Sequence, residues 1–340
     1  MTQISAAILG CAGLVLTAEE QALFRDRRPW GFILFKRNID TPGQVRALVD
    51  SLRACVERPD APILIDQEGG RVQRLGPPHW RRYPPGAAYG ALPADLQQGL
   101  TRLGARLIAH DLAALGINAD CVPVLDVPSP DGHEIIGDRA YGDTSQQVAR
   151  LGRAAAEGLI AGGVLPVIKH IPGHGRARAD SHLSLPVVEA SLAELTARDF
   201  APFRALSDMP LAMTAHVVYA AIDPDQPATT SAKAIDAVIR GAIGFDGLLM
   251  SDDLSMKALG GSFFERSARA FAAGLDLALH CNGDLTEAGA VALAAPLLAG
   301  PALARVERAR ARVAEAFRQA APFDPVDARK ELASALAALA

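Results

Sequence analysis

Eight short apolar runs alternate with longer amphipathic ones along this chain, and that alternation leaves few folds open. The runs are Ala6–Gly13, Gly31–Phe35, Ala61–Ile65, Ile117–Leu125, Val164–Ile168, Leu211–Val218, Gly247–Met250 and Leu275–Leu279. Each is followed by a helical pattern or a long loop, the mark of βα units wound around a parallel sheet. Helix starts are legible too. Thr17 and Glu20 make a Thr-x-x-Glu capping box, Thr41 is followed by Pro42, and Ser191 stands three residues before Glu194. The pattern predicts an α/β fold, a single-domain (β/α)8 TIM barrel. The chain has 340 residues, a normal length for a fold that takes roughly 250 plus insertions. Residues 1–340 are expected to form one domain, with the helices from about 302 packing on the barrel.

In such a barrel the reactive groups sit where strands run out into loops. Nearly every run here ends in charge: Lys36 and Arg37, Asp66, Asp126, Lys169 and His170, His216, Asp252 and Asp253, and His280. Isolated charges converging on one rim would be partly desolvated at considerable cost, so function accounts for the set better than structure does. Individual members have structural readings beside the functional one. Asp253 fits a cap for a helix starting near Leu254, and Asp126 or Glu68 fits a turn anchor or the partner of an arginine.

The stretch from Val164 to His182 is the densest in chemistry. Its strand turns polar at Lys169 and His170, breaks at Pro172-Gly173 and Gly175, and ends in Asp180-Ser181-His182. In extended chain the first and third of these share a side, so the Asp180 carboxylate can orient the His182 imidazole for proton transfer. Two chemistries fit the rim. In one, Asp252 attacks an electrophilic carbon, kept ionised by a cation such as Lys169, while His182 handles the proton. In the other, histidines and aspartates bind metal. That reading ranks second because no HExxH occurs and His170, His174 and His182 are irregularly spaced. Dinucleotide binding is weaker still, since Gly10 and Gly13 lack the third glycine of the phosphate-binding fingerprint.

Composition removes other classes. A net charge of −4 with no Lys/Arg block argues against nucleic acid or an anionic membrane as the main partner. The four cysteines are scattered and read as buried thiols of a reducing compartment. The N-terminal apolar run is short and has no basic residue before it, so a cytoplasmic protein is expected.

Six motifs then stand together, in order: Asp66-Gln-Glu-Gly-Gly-Arg-Val-Gln-Arg74, Pro123-Val-Leu-Asp126, Ile136-Gly-Asp-Arg139, Lys169-His-Ile-Pro-Gly-His-Gly175, Asp180-Ser-His182 and Ser251-Asp-Asp-Leu-Ser-Met256. From about Ile8 to Asn282 the chain resembles glycoside hydrolase family 3, and within it the single-domain bacterial β-N-acetylglucosaminidases of peptidoglycan recycling. The resemblance implies a retaining β-N-acetylhexosaminidase acting through a glycosyl-aspartate. Asp252 matches the nucleophile, and His182 with Asp180 matches the acid–base pair. Asp66, Arg74, Arg139, Lys169 and His170 match positions that hold N-acetylglucosamine. It further implies a cytoplasmic muropeptide substrate, N-acetylglucosaminyl-anhydro-N-acetylmuramic acid, with no metal or organic cofactor and a monomer or weak homodimer. A family 3 glycosidase or phosphorylase of other sugar specificity is the alternative. Ile171 departs from the aromatic frequent in the family, and Arg176 and Arg178 replace an acidic residue. These two arginines have two readings, both solvated or one reaching the muramic carboxylate or peptide, and the glycine-hinged loop is expected to close over the bound sugar.

Overall fold

The structure, a computed structural model, describes residues 3–179, 181 and 184–337. Its centre is a closed parallel barrel of β1 (Ser5–Gly10), β2 (Pro29–Leu34), β3 (Ile63–Ile65), β4 (Ala119–Asp120), β5 (Leu165–Ile171), β6 (Leu211–Thr214), β7 (Leu248–Asp253) and β8 (Leu277–His280). Going round, β1 pairs with β8, then β7, β6, β5, β4, β3 and β2, which returns to β1. This is the (β/α)8 barrel expected from the alternation. The strands are buried almost throughout, which is why they read as continuous apolar runs rather than alternating ones. All four cysteines are buried free thiols among the described residues.

Helices α1 (Ala18–Arg27), α2 (Pro42–Cys55), α3 (Ala94–Ala113), α4 (Ser145–Ala161), α5 (Phe263–Ala272), α6 (Leu285–Ala294), α7 (Gly300–Gln319) and α8 (Pro325–Ala337) pack outside. Helical segments between 192 and 205 and over Ala234–Ala242 contain π turns. The caps form as expected. Thr17 Oγ1 accepts from the Glu20 N–H while Glu20 returns to Thr17, and the same box closes at Ser191 and Glu194. No helix of the described residues is long and apolar enough to cross a membrane.

The fourth strand is shorter than the run Ile117–Leu125 suggests. Regular strand geometry stops at Asp120 and Pro123 has no N–H to donate, but contact with β5 continues: the carbonyls of Val122 and Pro123 accept from the N–H groups of Val167 and Lys169 at 3.0 Å, and Val124 bridges to Lys169. The expected cap at Asp253 is not there either: Leu254–Leu259 is a turn, and α5 starts from Ser262.

Helix α7 crosses the end of the barrel where the strands begin. Arg305 pairs with Asp246 and Asp276 at 2.8 and 3.0 Å, Arg308 with Asp246 at 2.9 Å, Arg312 with Asp208 at 2.9 Å, and Arg310 with Asp60. These aspartates stand just ahead of β3, β6, β7 and β8. One amphipathic helix thus ties four strand starts together, and Asp276 is buried between Arg305 and Arg240.

Candidate active site

At the other end, where the strands finish, a cavity of about 270 Å³ opens. Asp66 follows β3, Lys169 and His170 lie in β5, and Asp252 and Asp253 end β7; all five line it, together with Arg74 and Arg139 from loops. Phe35, Met213 and Met256 supply apolar wall. Of the other charged strand ends, Asp126, His216 and His280 are buried behind the wall, and Arg37 donates to the carbonyls of Cys11 and Cys281.

A hairpin after β3 brings Glu68 and Arg71 to the cavity and leads into Arg74. Gln67–Gly69 pairs antiparallel with Val72–Gln73 through a turn at Gly69 and Gly70, both at positive φ. A side chain at Gly69 would place its Cβ 2.2 Å from the Pro84 carbonyl oxygen, so only glycine fits. The buried Gln67 amide oxygen accepts from the N–H groups of Arg74 and Leu75, both at 3.0 Å, which fixes the returning strand. Arg74 then rests over the Phe35 ring at 4.8 Å.

Asp66, Glu68, Lys169, Arg74 and Arg139 form one ion network. The Lys169 ammonium lies 2.9 Å from Asp66 and 2.7 Å from Glu68. Arg74 holds the other oxygen of Asp66 at 3.0 Å, and Arg139 grips both oxygens of Glu68 at 2.8 Å. Burial alone would raise both carboxyls, but the cations outweigh it. Arg139 and Lys169 bring Glu68 down to about 2, and Lys169 with Arg74 holds Asp66 well below the carboxylate range. Burial opposes the charge on Lys169 as well, and the two carboxylates more than restore it. Glu68 is therefore the partner of an arginine, one of its two structural readings. Lys169 is thus paired with both Asp66 and Glu68. The groups whose fields reach Asp252 include His174 and His216.

Asp126, wholly buried, organises the next loop. Its carboxylate takes the His170 Nδ1 at 2.7 Å and the backbone N–H groups of His170 and His174 at 3.2 and 2.7 Å. Burial is offset by His170, and the carboxyl sits at about 2. An ionised Asp126 fixes His170 with Nδ1 protonated and Nε2 as the remaining ring nitrogen. His174 is pushed down to about 4, first by burial and then by His170, so it is neutral at pH 7. Its Nε2 lies 3.2 Å from Ser181 Oγ.

Asp180 and His182, the acid–base pair expected from the sequence, lie outside the described residues. Arg176 is 2.7 Å from the buried Asp199 and Arg178 is 3.5 Å from the exposed Asp131. Both line a second cleft, with Ser129, Asp131 and Glu194, and not the cavity that Asp252 lines. That places Arg176 in a structural pair rather than free for a ligand carboxylate.

Asp120 escaped sequence reasoning, although a lone carboxylate inside the apolar run Ile117–Leu125 was the signal for it. Its Oδ1 accepts from the Gln67 N–H at 2.9 Å, and its Oδ2 has no partner among the described residues. Burial raises this carboxyl to about 8. A carboxyl raised on folding stabilises most below its unfolded value, and that contribution is lost as pH rises through its folded value. Asp120→Asn should therefore melt with the parent near pH 4, about the ordinary carboxyl value, and increasingly above it toward pH 8. Thermal melts across that range check this; a constant gap would contradict it.

Comparison with known proteins bears on all of this. The family profile described as "Glycosyl hydrolase family 3 N terminal domain" matches residues 5–316. A curated beta-hexosaminidase of Alkalilimnicola ehrlichii is 40% identical over 282 residues, covering 81% of this chain and 80% of that protein. NagZ from Neisseria gonorrhoeae, solved in complex with N-trifluoroacetyl-D-glucosamine, is 31% identical with a TM-score of 0.86, covering 98% of each chain. A glycoside hydrolase family 3 beta-N-acetylglucosaminidase from Paenibacillus sp. str. FPU-7 is 33% identical with a TM-score of 0.79; it covers 98% of this chain, which spans 62% of that one.

Proposed function

The chain belongs to glycosyl hydrolase family 3, and from that premise we propose how it works as a β-N-acetylhexosaminidase. It removes a terminal N-acetylglucosamine with retention, from cytoplasmic N-acetylglucosaminyl-anhydro-N-acetylmuramic acid with or without its peptide. The observation that carries the reading is that Asp252 lines one cavity of about 270 Å³ together with a ring of fixed hydrogen-bonding charges. Asp66, Arg74, Arg139, Lys169 and His170 hold the sugar. Their charges are already paired, so they meet hydroxyls without reorganising.

In the first step an Asp252 oxygen attacks the anomeric carbon as the glycosidic bond breaks. His182, oriented by Asp180, gives its proton to the leaving oxygen. In the second, neutral His182 takes a proton from water, whose oxygen displaces the aspartate from the anomeric carbon. An imidazole titrates near neutrality, so it serves both steps without the burial a glutamic acid would need. The chemistry calls for no metal or organic cofactor.

Trapping the intermediate tests this. After reaction with a 5-fluoro N-acetylglucosaminyl fluoride, intact-mass and peptide analysis should find one sugar on the peptide containing Asp252. A label elsewhere, or turnover with no label, rejects the mechanism. His182→Ala should slow cleavage of poor leaving groups by roughly 10²–10⁴-fold while sparing activated aryl leaving groups in the first step. Equal loss on both would remove His182 from the acid role.

A further inference from the structure

Behind the end of β7 lies a row of buried side chains that none of these steps uses. Thr214, His216 and Thr229 have no exposed surface. Thr214 Oγ1 is 2.8 Å from Thr229 Oγ1, Thr229 Oγ1 is 2.7 Å from His216 Nδ1, and His216 Nε2 is 3.1 Å from the carbonyl oxygen of Asp253. The direction of every bond follows from one end. A carbonyl only accepts, so Nε2 carries the proton. Burial lowers the imidazole pKa from its ordinary value, so the ring is neutral and Nδ1 is a lone pair. Thr229 must then donate to Nδ1 and receive from Thr214. Its other possible acceptor, the Ala215 carbonyl, is more distant at 3.3 Å, and turning the proton there would set two lone pairs against each other at 2.7 Å.

The place of this row matters more than its length. Strands β6 and β7 are in register from Leu211 and Leu248 to Met213 and Met250, and their pairing ends there. On the β8 side the register shifts between Met250 and Asp253. The segment carrying Asp252 has thus run off the regular ladder on one side and is displaced on the other. Side chains take over. Cys281 N–H donates to the Asp253 carboxylate at 3.0 Å from the β8 side, and His216 donates to the Asp253 carbonyl from the β6 side. The Asp253 N–H in turn donates to an Asp252 oxygen at 2.8 Å.

We propose that His216, held as its Nε2–H tautomer with Thr229 donating to Nδ1, is a positioning residue. Its bond to the Asp253 carbonyl replaces the missing ladder and fixes the strand end so that the Asp252 carboxylate meets the anomeric carbon. The inference rests on Asp252 being the nucleophile.

The test uses the full-length enzyme, a dinitrophenyl N-acetylglucosaminide, and rapid mixing to read the rate of glycosyl-enzyme formation. His216→Ala should lower that rate by about 10²-fold, the scale of a small misplacement of a reacting group. Inhibition by free N-acetylglucosamine should stay within a few-fold, because the sugar contacts are untouched. His216→Gln, whose amide can still donate to the carbonyl, should recover about tenfold. Thr229→Val should lose about tenfold and Thr229→Ser almost nothing, since only the hydroxyl donates to Nδ1. The proposal is overturned if His216→Ala reacts at close to the parent rate, or if Gln is no better than Ala. Should the alanine variant fail to fold, equal rates for Thr229→Val and Thr229→Ser overturn it alone. A parent enzyme that never labels Asp252 would sink the nucleophile reading itself, a result the variants cannot imitate.

Discussion

Asp252→Ala is expected to lower kcat by roughly 10⁵-fold or more while leaving the fold and sugar affinity intact, because it removes the atom that bonds to the substrate. Asp253, the last residue of β7, is also held through Cys281 and Ser255, so the strand end keeps two anchors when its N–H loses the Asp252 oxygen to which it donates at 2.8 Å. Asp252→Ala should also bind N-acetylglucosamine about as well as the parent, since the binding charges come from β5 and from the chain after β3 and β4. Steady-state kinetics with titration of the product separates the two effects. Turnover close to that of the parent would end the glycosyl-aspartate mechanism. Loss of binding in step with turnover would instead make Asp252 part of the sugar-holding set.

Lys169→Met carries the second large effect, and here stability and catalysis should fall together. The methionine keeps most of the volume but leaves Asp66 and Glu68 without the ammonium they share at 2.9 and 2.7 Å. Breaking a buried ion pair by deleting one partner typically costs about 3–5 kcal/mol. The pH dependence gives a further check. Asp66 and Glu68 are held low in the folded protein, so their contribution is present above the ordinary carboxyl range and is lost as pH falls through their folded values. The deficit of Lys169→Met should thus be largest at neutral pH and shrink below about pH 4, where the unfolded carboxyls are already protonated. Urea unfolding at both pH values reads it. Activity should drop at least about 10³-fold in kcat/KM, because the remaining charges are no longer preset for the sugar. A variant as stable as the parent would show that Arg74 and Arg139 suffice.

Much of this was legible in the sequence because barrel strands announce themselves. Runs such as Gly31–Phe35 and Leu275–Leu279 are apolar on both faces, and the polar residue after each marks where chain leaves core for mouth. Asp66, Lys169, His170 and Asp252 were found in that way, and the structure brings them together with Arg74 and Arg139. What stayed hidden was pairing. Nothing in the spacing says that Lys169 pairs with both Asp66 and Glu68, because those contacts join segments about a hundred residues apart in the chain. The same holds for Asp126, whose buried carboxylate serves His170 from a neighbouring strand, and for Arg176, drawn to Asp199. The break after Asp120 was missed because an apolar run looks continuous through Pro123.

The arginine-bearing helix at the strand starts has a consequence for how such a molecule can change. It grips Asp60, Asp208, Asp246 and Asp276 at the end of the barrel opposite the sugar cavity. Part of the molecule's endurance is therefore written at the pole away from turnover, and a lineage moving to saltier or hotter surroundings can retune that part without disturbing the cavity.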